Sequence, residues 1–174
     1  MLLILSPIFL IVALLILLGD GSPVFFKQKR VGVNYTFFNI CKFRTMKKNT
    51  PNVATHLLEN PSQHILKVGS FLRKLSLDEL PNLINIVKGD MVFVGPRPAL
   101  YNQDDLMAAR VSEGVDKLKP GLTGLAQING RDEISLEEKV ALEKEYLERK
   151  SFWFDVEIIL LTFTSVFKGK GIKH

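Results

Sequence analysis

The chain has 174 residues, a formal net charge of +5 and a single cysteine, Cys41. This length suits one domain with its own core, the lone cysteine excludes an internal disulfide, and His56, His64 and His174 lack the spacing of a structural zinc site. The basic balance favours an anionic partner: nucleic acid, a phosphorylated small molecule or acidic lipid.

The 12 phenylalanines fall mostly in apolar runs, which reads as core or membrane contact rather than as base stacking. The first run, "LLILSPIFLIVALLILL" over 2–18, carries no charge. It is apolar on every side, as a lipid-facing helix is, and short for a membrane span. No basic start or small-residue cleavage site marks it as a secretory signal. Pro7 either kinks this helix, with Ser6 satisfying freed backbone groups, or sits harmlessly in its first turn.

"PVFFKQKRVG" and "YTFFNICKFRTM" predict two strands around a turn at Gly32-Val33-Asn34. Alternation places Phe38, Ile40, Lys42 and Arg44 on one face, where two cations can meet one phosphate or merely face solvent. Residues 47–63, polar and holding Pro51 and Pro61, predict a loop. Helical spacing follows over Ile65–Leu75. A short strand is expected over Met91–Val94, before the turn "GPRP", and another strand inside "KPGLTGLAQINGR". Ser135 and Glu138 form a capping box at the start of a helix reaching Lys150. The last segment, "SFWFDVEIILLTFTSVFKGKGIKH", combines aromatic, apolar and basic residues as an interfacial helix does.

The chemistry concentrates in "KLSLDELPNLINIVKGD", Lys74–Asp90. Ser76 and Glu79 fit a capping box, and Asp78 would gain from the helix dipole; on that account the acid pair is only a helix start. The competing account is a reactive carboxylate. A helix start attracts phosphate, Lys42, Arg44, Arg73, Arg97 and Arg131 are candidate neighbours, and Pro96 and Pro98 stiffen the backbone around Arg97. Carboxylates among cations suit a site shared by a divalent metal and phosphates. An ionised Asp there can attack phosphorus while cations hold the transferred charge. No phosphate-binding P-loop or G-x-G-x-x-G is present.

In order, "SPIFLIVALLILL", "VFFKQKRVG", "KFRTM", "LRKLSLDELPNLINIVKGDM", "VGPRP", "KPGLTGLAQINGR" and "SFWFDVEIILLTFTSVF" resemble the monotopic phosphoglycosyl transferases, the bacterial sugar transferase family, in its minimal catalytic-domain form. The resemblance implies an α/β, membrane-associated monotopic domain with a kinked, re-entrant-type amino-terminal helix, a small strand-containing core and interfacial amphipathic helices. Residues 1–18 would be the membrane-inserted segment and 19–174 the catalytic domain, at the cytoplasmic face of the bacterial inner membrane.

It further implies transfer of a phosphosugar from a UDP-sugar to polyprenyl (undecaprenyl) phosphate, with UMP released and Mg2+ required, as a first step of glycoconjugate assembly. In the implied ping-pong scheme Asp78 is the nucleophile and a metal ligand, Glu79 its partner acid, and Lys42, Arg97 and Arg131 bind substrate phosphate. Asp155 matches a further acidic position. Two departures stand out: the arm before Ser6-Pro7 is shorter than in such enzymes, and Glu143 stands where they often have Asp. The rival readings are a hydrolase using the same acid and metal, a non-catalytic membrane-surface adaptor, and an inactive fragment of such an enzyme. Nucleic acid is not an expected partner.

Overall fold

The computed structural model describes residues 2–51, 58, 60–130 and 133–168. The chain opens with helix α1, Leu2–Asp20, which runs through Pro7 without interruption. Two strands follow, β1 (Phe25–Val31) and β2 (Phe37–Phe43), paired antiparallel with Phe25 opposite Phe43 and Val31 opposite Phe37. The turn between them holds Asn34 and Tyr35 at positive φ. Helices α2 (Pro61–His64) and α3 (Lys67–Lys74) lead to a 3-10 turn over Leu77–Glu79 and to α4, Asn82–Lys88.

Strand β3 (Val92–Val94), helix α5 (Asp104–Ser112), strand β4 (Gly121–Thr123) and the short helix α6 (Leu125–Ile128) form the middle of the chain. β3 and β4 are parallel, pairing Val92 with Gly121 and Val94 with Thr123. Helices α7 (Leu136–Arg149) and α8 (Phe152–Lys168) complete the described chain. The mixed α/β character expected from the sequence is present. Among the described residues no helix is long and apolar enough to cross a membrane.

Three apolar clusters hold these elements. Val12 and Ile16 of α1 pack with Phe43 and Leu72, and Leu77 and Leu80 lean on the same cluster. Val31, Ala99, Leu106, Met107 and Val140 join β1 to α5 and α7. Val94, Val115, Leu118, Tyr146, Phe154 and Ile158 seat α8 against β3 and α7. Fully burying a large aliphatic side chain contributes about 1.5–3 kcal/mol, so the inward face of α1 is part of the core. Its outward face is not: Leu10, Ile11, Leu14 and Leu18 are exposed, Leu18 at 86%.

Three sequence expectations change here. Arg44 is not on a phosphate-facing strand surface. It lies past the end of β2, is buried, and binds Asp20 with its guanidinium and the carbonyls of Gly21 (2.5 Å) and Pro23 (2.6 Å). Its task is to close the end of α1, where free carbonyls and a carboxylate gather around one cation. Arg73 is likewise turned to Thr45, whose Oγ1 accepts from its Nε at 3.0 Å. Thirdly, the strand expected after Pro120 is only three residues long and gives way to α6. A Cβ on Gly121 would stand 2.2 Å from the Gly95 nitrogen, and one on Gly124 2.2 Å from the Gly95 oxygen. These glycines let β4 and its exit press against the backbone at Gly95, directly before Pro96-Arg97-Pro98.

Candidate active site

The capping box expected at Ser76 and Glu79 does not form. Ser76 has φ 54° and makes no side-chain cap, and α4 begins only at Asn82, after Pro81. Left-handed backbone is uncommon for serine, so tertiary packing holds this turn. Leu77 and Leu80 supply that packing by leaning on the α1 cluster from either side of the acid pair. Asp78 and Glu79 therefore belong to a 3-10 turn ahead of the helix, and Glu79 is free to point toward β2.

There it meets cations. Lys42 Nζ on β2 lies 2.8 Å from Glu79 Oε1, with the side chains 15% and 12% exposed, and Arg97 Nη1 is 3.6 Å from the same oxygen. Burial pushes the Lys42 ammonium below its ordinary pKa; Glu79 and Asp78 oppose that shift and Arg97 adds to it. Asp78 is nearly buried at 9% exposure. Asn85 fixes the register of this arrangement. Its Oδ1 accepts from the Cys41 backbone N–H at 3.0 Å and its Nδ2 donates to the Asn39 carbonyl at 2.8 Å, so α4 is docked on the free edge of β2 beside Lys42.

Arg30, Lys42, Glu79, Asn82 and Arg97 line one narrow concavity open to solvent, walled elsewhere by Ile40, Met91, Pro98, Gly121 and Leu122. Asp78 stands beside this wall rather than on it, one residue before Glu79. Three cations gather around this hollow with one carboxylate; Arg30 already donates to the Pro98 carbonyl and Gln28 Oε1, which leaves Lys42 and Arg97 as the groups suited by chemistry to phosphate oxygens. Asn82 is 1% exposed and its Oδ1 has no hydrogen-bond partner. A buried oxygen without a hydrogen-bond partner, on a residue lining the same hollow as Glu79, fits a hard divalent cation, which takes oxygen donors. Among the described residues no cluster of three or more His, Cys, Asp or Glu is placed to bind metal, so such an ion would lean on phosphate and water.

A family profile described as bacterial sugar transferase matches residues 1–169. The chain belongs to the bacterial sugar transferase family. It is 41% identical to the sugar transferase EpsL of Bacillus subtilis, called uncharacterized, over 97% of this chain and 82% of that protein. It is 37% identical to the exopolysaccharide production protein ExoY of Rhizobium meliloti, over 98% of this chain and 81% of that one. The UDP-glucose:undecaprenyl-phosphate glucose-1-phosphate transferase of Escherichia coli is 41% identical over 97% of this chain, which spans 37% of that longer protein.

Of the residues singled out for this sugar transferase, the structure brings Lys42, Glu79 and Arg97 together and sets Asp78 beside them. Arg131 lies outside the described residues. Asp155 sits elsewhere, in the first turn of α8: its Oδ1 is 2.7 Å from the Tyr146 hydroxyl, which is also 3.0 Å from the Val94 carbonyl. The single phenolic proton has both acceptors within reach. Burial and the Asp155 carboxylate raise the Tyr146 pKa far above its usual value, so the phenol stays neutral. Asp155 thereby ties α8 and α7 to the end of β3.

Sequence reasoning missed Arg30, Asn82 and Arg110 as contributors and left the role of Glu143 open. Glu143 is 2% exposed and takes two hydrogen bonds from Arg110, at 2.8 Å from Nε and 2.5 Å from Nη2. The available signal was positional: Arg110 follows Leu106 and Met107, and Glu143 follows Val140, at helical spacing, so both charges occupy core-facing stripes.

Proposed function

We propose that this sugar transferase moves a phosphosugar from a UDP-sugar to polyprenyl phosphate, undecaprenyl phosphate in the bacterial setting, releasing UMP. The observation that carries the reading is the hollow lined by Arg30, Lys42, Glu79 and Arg97, where Lys42 and Arg97 meet Glu79, with Asp78 adjacent. The names of the Escherichia coli relative and of a Caulobacter vibrioides relative, 37% identical, point to the same donor and acceptor class.

Transfer takes two successive displacements at one phosphorus. A carboxylate oxygen of Asp78 attacks the β-phosphorus of the UDP-sugar; the bond from that phosphorus to the bridging oxygen breaks, and UMP leaves with the electron pair. The sugar remains on Asp78 as an acyl phosphate. A phosphate oxygen of the polyprenyl phosphate then attacks the same phosphorus, the bond to Asp78 breaks, and polyprenyl-diphosphate-sugar departs. Asp78 turns from beside the hollow into it for the first attack. Lys42 and Arg97 hold the charge on the transferred phosphoryl oxygens in surroundings that exclude most water, where fixed cations act most strongly. Glu79 keeps both cations in place between turnovers. Mg2+ would be held by Asp78, with Asn82 Oδ1 and Glu79 as nearby oxygen donors, and would neutralise diphosphate charge.

The setting is a membrane surface on the cytoplasmic side, where a water-soluble donor meets a lipid acceptor. The exposed apolar face of α1, with Phe71 exposed on α3, Leu75 just past its end, and Phe152 and Trp153 on α8, supports contact with lipid. The reaction would open the assembly of a bacterial polysaccharide or other glycoconjugate.

The test incubates purified protein with Mg2+ and UDP-sugars radiolabelled in the sugar, without lipid acceptor. Label is expected to stay on the wild-type chain, to be absent from Asp78→Asn, and to pass to added undecaprenyl phosphate. Lipid-linked product formed at full rate by Asp78→Asn would overturn the covalent step.

A further inference from the structure

The segment Pro96–Ala99 has an unusual support. Four successive carbonyls each accept a hydrogen bond from another part of the fold. Pro96 O takes one from Gly121 N at 2.8 Å, Arg97 O from Arg110 Nη2 at 2.9 Å, Pro98 O from Arg30 Nη1 at 2.9 Å and Ala99 O from Val31 N at 3.0 Å. Prolines at 96 and 98 have no N–H, so the segment has few donors of its own, and these four carbonyls take theirs from outside it.

The donor at the central residue is costly. Arg110 is 5% exposed, and it is charge-balanced by Glu143, equally inaccessible on α7. A buried ion pair of this kind is a weak source of stability, because desolvation offsets most of the attraction and apolar residues of similar size often do as well. What the pair adds over apolar packing is direction. Glu143 grips the Nε edge of the guanidinium and one hydrogen of Nη2, and the same Nη2 reaches the Arg97 carbonyl. Arg97's own guanidinium then lies 3.6 Å from Glu79, across the hollow.

We propose that Arg110 and Glu143 are a positioning pair that aims Arg97 at the substrate diphosphate, acting through the Arg97 carbonyl without touching substrate. This rests on the phosphosugar-transfer reading. The tether fixes where the Arg97 Cα stands, and a displaced cation loses transition-state stabilisation steeply with distance.

The test compares wild type, Arg110→Met/Glu143→Leu, Arg97→Ala and the triple variant. The paired substitution removes both charges at once, so neither is left buried alone and the fold survives. Readouts are kcat/KM for the UDP-sugar, UDP affinity by calorimetry, and melting temperature. The double variant is expected to melt within a few degrees of wild type yet lose on the order of 10- to 100-fold in kcat/KM. On the Arg97→Ala background the same double substitution is expected to change kcat/KM by less than about 3-fold, because the cation it aims is gone. Glu143→Asp is expected to recover part of the loss seen with Glu143→Gln. Unchanged kcat/KM in the double variant, or an equal loss with and without the Arg97 side chain, would overturn the pairing role alone. A wild-type chain that neither transfers sugar phosphate nor binds UDP would overturn the functional reading and this inference with it.

Discussion

Lys42 Nζ and Glu79 Oε1 meet at 2.8 Å across 37 positions of sequence, joining the second strand to the turn that carries Asp78. The contact is largely shielded from water, so desolvation offsets much of its attraction, yet neither partner is easily removed alone. Glu79→Gln leaves Lys42 and Arg97 without their carboxylate. Losing a charged hydrogen-bond partner at such a site costs about 1.5–3 kcal/mol, so the melting temperature should fall by several degrees. Transfer activity should fall by on the order of 10²-fold or more. Thermal unfolding and initial rates measured on one preparation check both.

The lowered pKa of Lys42 has a direction in pH. Its ammonium is present below the lowered value and is lost as pH rises through it, earlier than for an ordinary lysine at 10.5. Activity that needs this charge should decline in the alkaline range below 10.5, and Lys42→Arg, which does not titrate there, should move that limb upward. Stability runs the other way. The unfolded chain binds the proton more tightly, so the penalty for burying the ammonium is relieved between the folded pKa and 10.5. A pH–rate profile of the two proteins reads the first effect, and denaturant midpoints across the same range read the second.

Asn85 completes the edge of β2 with its side chain alone. Asn85→Leu keeps the γ-branched shape but leaves the Cys41 N–H and the Asn39 carbonyl unpaired. Each orphaned backbone group costs about 1–3 kcal/mol, enough to lower the melting temperature by roughly 5–10 °C. Scanning calorimetry decides it.

Tyr146→Phe and Asp155→Asn both cut the link from α8 to the end of β3. Each should destabilise by about 1–2 kcal/mol while leaving the kcat of the folded fraction within a few-fold of wild type. A loss of label retention by Asp155→Asn, with melting unchanged, would instead give that carboxylate a part in the chemistry.

Much of this architecture was written in local pattern. The β1–β2 hairpin followed from two runs rich in β-branched and aromatic residues around a glycine turn, and α7 from Ser135, whose Oγ accepts from Glu138 N at 3.1 Å. Lys42, Glu79 and Arg97 were legible through a family resemblance and then met in space. What local pattern could not show was which partner each charge would choose. Arg44, two residues from Lys42, turned away because the end of α1 offered a carboxylate and carbonyls. Ser76 and Glu79 matched a capping motif but fell before the helix, because a left-handed Ser76 and Pro81 put the turn first. Arg110 and Glu143, 33 positions apart, are a tertiary pairing that helix propensity does not encode.

The seat of α1 also bears on any attempt to make a water-soluble form of this enzyme. Val12 and Ile16 fill space over Phe43 and Leu72, and Leu77 and Leu80 share that cluster on either side of the acid pair. Trimming the helix away would pull the floor from under the turn that carries Asp78 and Glu79 along with the greasy exterior. Repainting Leu10, Leu14 and Leu18 with polar residues, which alters only the side facing outward, is the route that spares catalysis.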